Sequence, residues 1–190
     1  ERLEDNMVAF DIGPGNCMID DWVRKHSNLR FDKDGQVARS GKVNQMILNQ
    51  AIDNFKFENY TQSLDIKDFD ISFVRGLSFE DGCSTITNFT GYLIAKGIEY
   101  IDEIKHETNY LICGGGRKNN YLMQCIKDNL VNNPTIMLDD IEKFYINGDY
   151  VESKAFGYLA IRSYLKLPIS FPKTTGCLSP VVGGKLSKNF

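Results

Sequence analysis

The stretch YLICGGGRKNN, Tyr110 to Asn120, decides the fold class. Tyr110 to Cys113 is a short apolar run with strand character, and it passes directly into Gly114, Gly115 and Gly116. Leu122, Met123, Cys125 and Ile126 then recur at helical spacing. The stretch therefore reads as a strand, a glycine turn and a helix in that order. Downstream, Thr135 to Leu138 (TIML) reads as a third strand. Gly148-Asp149 precedes a predicted helix from Tyr150 to about Leu165, with Val151, Ala155, Phe156, Leu159 and Ala160 on its apolar side. Upstream the same grammar recurs. Met7 to Phe10 (MVAF) reads as a short buried strand feeding the turn Asp11-Ile-Gly-Pro-Gly-Asn16, and Met18, Ile19, Trp22 and Val23 outline a helix behind it. Strands alternating with helices predict an α/β domain with a partly parallel sheet.

Between these units, residues 27–42 are polar and glycine-bearing and read as loop, while Val43 to Ile52 resumes helical periodicity. Residues 53–76 read as irregular with a short helix. Ser78 to Lys96 is helical in pattern, with Ser78 as N-cap, Glu80 and Asp81 in the first turn and Gly97 as a stop. The tail from Leu167 to Phe190 reads as loop with a final turn.

At 190 residues the chain suits one domain able to bury a core without staples. Hydrophobic residues make up 42% and charged residues 25%, the balance of a globular protein. Mean hydropathy is -0.30, and no apolar run approaches the roughly 18 residues of a membrane helix. A net charge of -3 gives no electrostatic case for nucleic acid or an anionic membrane as partner. The five cysteines are an odd count without CxxC spacing, which points to reduced thiols in a cytoplasm. His26 and His106 are too scattered for a metal site. His26 reads as a solvated helix residue and Trp22 as core. The first residue is Glu1 and the first methionine Met7, so the chain reads as trimmed or as part of something longer.

Four pieces of sequence hold the candidate chemistry. In AFDIGPGN, Ala9 to Asn16, Asp11 ends a strand and can serve as a general base or hold Mg²⁺ through water, and Gly13 and Gly15 allow backbone approach to phosphate. The same Asp also fits a turn former. In CGGGRKNN, three glycines between strand and helix suit a nucleotide, or a tight turn needing positive φ. Neither the dinucleotide fingerprint nor the P-loop is present. In GDYVESKAF, Asp149 fits an N-cap and Glu152 completes a capping-box pattern. FPKTTGC and VVGGKL in the tail fit a sugar or phosphate contact or a surface loop.

Together and in order, AFDIGPGN, FEDGCSTITNFT, GGGRKN, GDYVESKAF, TTGC and GGKL resemble the C-terminal half of the anhydro-N-acetylmuramic acid kinases over nearly the whole chain. The resemblance implies the C-terminal lobe of an actin-like ATPase (ribonuclease H-like) fold, a mixed sheet flanked by helices, with residues 1–190 forming a single α/β lobe. It implies a cytoplasmic enzyme of peptidoglycan recycling that adds water across the anhydro bond of 1,6-anhydro-N-acetylmuramic acid and transfers the γ-phosphate of ATP to the 6-oxygen. Asp11 takes the role of the base on the attacking water. Gly13, Gly15, Gly114, Gly115 and Gly116 lie by the nucleotide, and Asn16, Asn119 and Glu152 by the substrate. ATP and Mg²⁺ are the implied ligands, and a homodimer the implied assembly.

Three departures bear on this expectation. Ile12 stands where the family has Thr. Gln62, in Tyr60-Thr-Gln-Ser63, stands where a lysine is expected. The GTS-x-DG-x-D phosphate loop of the family's N-terminal half is absent from these 190 residues. The expectation is therefore a kinase lobe that works with an N-terminal lobe in cis or in trans. The alternative is a non-catalytic nucleotide-binding or interaction remnant.

Overall fold

The computed structural model describes residues 7–55, 64, 66–104, 110–133 and 136–187. Gln62 and its neighbours in the YTQS segment lie outside them. Among the described residues there are seven α-helices and one two-stranded parallel sheet.

The organising element is α4, Phe79–Ile104. It begins as its sequence predicts, with the Asp81 N–H donating to Ser78 Oγ at 3.1 Å. It buries Cys83, Ser84, Thr85, Ile86, Thr87, Phe89, Thr90, Leu93 and Ala95, so it is covered on almost every side. The hydroxyls this burial takes in are largely satisfied locally. Thr85 donates to the Asp81 carbonyl and Thr87 to that of Cys83, each at 2.8 Å. Around α4 pack α1 (Cys17–His26), α2 (Gln36–Ser40), α3 (Gln45–Asn54) and α5 (Asn120–Asn129). α1 inserts Met18, Ile19, Trp22 and Val23, the four residues its spacing singled out. His26 is exposed, yet its ring lies over Trp22 with centroids 3.7 Å apart.

Gly97 does not stop α4, which runs seven residues further. A Cβ on Gly97 would stand 2.4 Å from Ile12 Cδ1, so the glycine is a seat for that side chain. The departure at Ile12 therefore has a packing partner within the chain. Gly91 plays the same part towards α5: its Cβ would lie 2.7 Å from Cys125 Cβ and 3.1 Å from the Cys125 carbonyl carbon. Gly91→Ala gains about 1 kcal/mol of helix propensity but forces two helix backbones apart, at about 1–3 kcal/mol. The expected net result is a lower urea midpoint at unchanged m-value; a midpoint that rises would refute the close packing of α4 on α5.

The sheet is one crossover unit. β1 (Tyr110–Ile112) leads through the glycines into α5, and β2 (Leu138–Asp140) returns parallel to it, with Tyr110 opposite Leu138 and Ile112 opposite Asp140. The second strand is displaced from the expected Thr135 to Leu138. Asn133 and Ile136 form a backbone turn at 3.0 Å that delays pairing. The α/β class holds, while the described sheet is smaller than expected and wholly parallel.

Other expectations change. Met7 to Phe10 is not a buried strand: Met7 and Val8 are exposed, and the backbone bond recorded there runs from Ala9 N–H to the Lys173 carbonyl at 3.2 Å. An apolar run becomes a strand only beside a partner edge, and none lies along it among the described residues. Residues 27–42 are not all loop, because buried Asp32 accepts the N–H groups of Val37 and Ala38 at 2.8 and 3.0 Å and starts α2. The segment 64–76 carries 3₁₀ turns at Ile66–Asp68 and Ile71–Val74. The tail contains α7, Pro172–Thr175, and an antiparallel bridge from Ser170 to Val181. α6, Val151–Tyr164, forms where expected, but none of its residues is buried. On its expected apolar side Ala155, Phe156 (65%) and Ala160 are exposed while Val151 and Leu159 are half-buried, so that side is largely open. No helix among the described residues is long and apolar enough to cross a membrane.

Candidate functional site

The turn Gly13–Asn16 and the triglycine string, a hundred residues apart in sequence, meet at one cleft. A cavity of about 420 Å³ is lined by Asn16 and Asp20 of the α1 start, by Arg30 to Asp34, and by Gly115, Lys118 and Asn119. Three predicted site residues, Asn16, Gly115 and Asn119, are thus brought together. Asp11, Gly13, Gly15, Gly114, Gly116 and Glu152 are not among its lining.

Each has a definite place. Asp11 is exposed at the head of the turn, and its carbonyl accepts the Leu64 N–H at 3.1 Å. Gly13 backs onto Leu93, and Gly15 takes a left-handed φ of 53°. Asn16 is the N-cap residue of α1, but its side chain makes no capping bond. Its Oδ1 is buried without a partner. A buried acceptor left open beside a cavity suits a ligand hydroxyl or a metal-bound water. Gly116 stands directly behind it, its Cβ position 3.6 Å from Asn16 Nδ2.

The triglycine string divides its work. Gly114 adopts φ 78°, which a side chain resists, and so turns the chain out of β1. Nothing lies within 4 Å of a Cβ on Gly115, so backbone is exposed to the cavity there. Residues 115–118 then make a 3₁₀ turn into α5, where Asn119 Oδ1 accepts the Leu122 N–H at 2.9 Å. Asn119 is therefore an N-cap as well as a cleft residue, with its oxygen already engaged.

The GD string departs from expectation. Asp149 does not cap α6; the N-cap is Tyr150, without a side-chain bond. Arg117 and Lys118 draw the Asp149 carboxylate away, at 2.7 and 2.5 Å. Lys118 and then Arg117 hold its pKa below the ordinary carboxylate value. Without a capping Asp there is no capping box, and Glu152 is an exposed residue of the first turn. Arg117 is 4% exposed at its side chain and also donates to the Gly114 carbonyl at 2.9 Å and to Glu142, with Asp140 at 3.6 Å.

Two features, one in the cleft wall and one behind it, escaped sequence reading. The wall Arg30 to Asp34 looked like polar loop, although Asp32, a residue type that caps helices, stands just before the segment that becomes α2. The Arg117–Asp149 link joins residues 32 apart and left no periodic trace. Burial raises the Asp20 carboxyl above its ordinary value; Arg24 opposes this and Asp32 reinforces it. No cluster of three or more His, Cys, Asp or Glu that could hold a metal occurs among the described residues. The buried thiols of Cys83 and Cys125 are raised by desolvation, that of Cys125 to about 12.

Comparison with known proteins fits this arrangement. The family profile described as anhydro-N-acetylmuramic acid kinase matches residues 3–188. A curated anhydro-N-acetylmuramic acid kinase of Pelagibacter ubique (strain HTCC1062) is 47% identical over 195 residues, covering 100% of this chain and 51% of the relative. Those of Zymomonas mobilis and Rhodospirillum rubrum are 38% and 36% identical, covering 96% and 93% of this chain and 49% and 46% of the relatives. The chain spans about half the length of the curated relatives it matches. With the profile covering nearly every residue and a relative 47% identical across the whole chain, the chain belongs to the anhydro-N-acetylmuramic acid kinase family.

Proposed function

We propose that the chain is the C-terminal lobe of an actin-like, cytoplasmic, ATP-dependent kinase that opens the anhydro ring of 1,6-anhydro-N-acetylmuramic acid and phosphorylates its 6-oxygen in peptidoglycan recycling. The observation that carries this is the convergence of Asn16, Gly115 and Asn119 on one cavity, with the Asn16 acceptor buried and open. Asp11 takes a proton from water as the oxygen bonds to the anomeric carbon. The bond from that carbon to the 6-oxygen breaks, and the 6-oxygen accepts the γ-phosphoryl group as ADP leaves.

The exposed backbone at Gly115, with Lys118 beside it, suits the phosphates of the nucleotide, and Asn16 suits a sugar hydroxyl. Mg²⁺ would supply charge neutralisation on those phosphates and would be held mainly by them and by water. Gly13, Gly15, Gly114 and Gly116 shape the two turns, and Glu152 would approach the sugar from α6.

The partner in this proposal is the complementary N-terminal lobe, in cis or in trans. The largely open apolar side of α6 and the half-length match both support it. The test is calorimetric titration of Mg²⁺·ATP into the chain, with and without the half of the Pelagibacter relative that the chain does not match. The expected result is heat that appears or tightens with the added half, and a phosphorylated product from the anhydro sugar. No heat and no product in either arm would overturn the proposal.

A further inference from the structure

The geometry points to Arg117 as the positioning residue of the triglycine turn: holding the Gly114 carbonyl and the Asp149 carboxylate together, it keeps Gly115 and Lys118 at the cleft wall for a phosphate-bearing ligand. The inference rests on the nucleotide reading of the cleft given above.

Arg117 does not line the cavity, whereas its neighbours Gly115 and Lys118 do. Its side chain is 4% exposed, while Asp140, Glu142 and Asp149 around it are 43%, 52% and 44% exposed. The cation is thus the buried hub and the carboxylates its solvated rim. One guanidinium donates to the start of the turn at Gly114, to the β2 exit at Glu142 and to the α6 approach at Asp149. A planar fork with five donors can do this, and a single ammonium cannot. The backbone closes the same ring, since the Gly114 N–H donates to the Gly148 carbonyl at 3.1 Å. Gly148 leaves room for it: a Cβ there would stand 2.7 Å from Arg117 Nε. The Gly and Asp of the GD string thereby gain a shared purpose that helix capping did not supply.

Lys118 completes the device. Its ammonium pairs with the second oxygen of Asp149 at 2.5 Å, and it lines the cavity. An incoming phosphate competes with Asp149 for Lys118. Asp149 is not stranded when Lys118 turns away, because Arg117 stays bound to its other oxygen.

The test uses the chain with Arg117→Met, Arg117→Lys and Gly148→Ala, none of which alters a cleft-lining residue. Amide hydrogen exchange is read at Gly114 to Lys118 and, as an internal reference, at Ile86 and Leu93 in α4. Mg²⁺·ATP affinity is measured on the same samples. The expected result for Arg117→Met is exchange at Gly114 faster by roughly tenfold or more, with α4 unchanged, and affinity weaker by a similar factor. Arg117→Lys restores part of both, and Gly148→Ala reproduces a smaller version of both. Unchanged exchange at Gly114, or a parallel rise in α4, would overturn the inference, because Arg117 would then hold nothing specific or only the whole fold. Faster exchange at the turn with unaltered affinity would overturn it as well. A wild-type chain that binds no nucleotide, even with the complementary half added, would overturn the cleft reading instead, and the exchange data would still decide whether Arg117 holds the turn.

Discussion

Trp22→Ala is expected to remove about 3–5 kcal/mol of folding stability and to lower the melting temperature by roughly 6–20 °C. Trp22 is 3% exposed and is the largest side chain that α1 contributes to the core. Its ring packs against Gly82 of α4, where an added Cβ would meet Cζ2 at 2.2 Å. The alanine variant leaves a cavity on that contact, and two closely approached helices cannot collapse into it without breaking others. Trp22 Nε1 also donates to the Phe79 carbonyl at 2.8 Å, at the start of α4, so the same change unties a helix end. Trp22→Phe separates the two effects. It keeps most of the ring and loses the bond, for about 1–3 kcal/mol. Thermal unfolding of the three proteins checks the ordering. A Trp22→Ala protein melting within about 2 °C of the parent, less than 1 kcal/mol at this size, would remove Trp22 from the core.

Asp11→Asn is expected to lower kcat by about 10²–10⁴-fold, with Mg²⁺·ATP affinity unchanged, in the chain assembled with its complementary half. The substitution keeps the shape and the turn while removing the carboxylate proposed to take a proton from water. Asp11 lies outside the cleft lining, so the nucleotide contacts proposed at Gly115 and Lys118 are expected to persist. The backbone bond from Leu64 to the Asp11 carbonyl persists as well. A fall in kcat with affinity preserved separates a proton-transfer role from a binding role. A kcat within about threefold of the parent would assign the base to another residue, since general-base removal costs far more than that. The reverse pattern, weaker affinity with kcat intact, would make Asp11 part of the metal or nucleotide site.

Much of the local structure was legible in the sequence, for local reasons. Met18, Ile19, Trp22 and Val23 recur at helical spacing, and they are the buried residues of α1. Ser78 before two acids marks the start of α4, and YLIC before three glycines marks β1 and its turn. Periodicity and turn chemistry act over a few residues, so they are written in the order of those residues. The family was legible too, because its strings are short and occur in sequence.

Contacts across the chain were not legible. Gly97 has the right residue type for a helix stop, yet it lies inside α4 because Ile12 needs its missing Cβ. Asp149 has the right position for an N-cap, but two cations from another turn bind it more strongly than one helix end does. The cleft wall at Arg30 to Asp34 came out of what read as plain loop. Local periodicity and turn chemistry thus carried most helices, the turn strings and the family, but misread Met7 to Phe10 as a strand and residues 36–40 as loop. The tertiary structure alone decided which of those strings share a cleft and which residues merely brace it, because a charge or a missing side chain acts on whatever lies nearest in space, however far away in the chain.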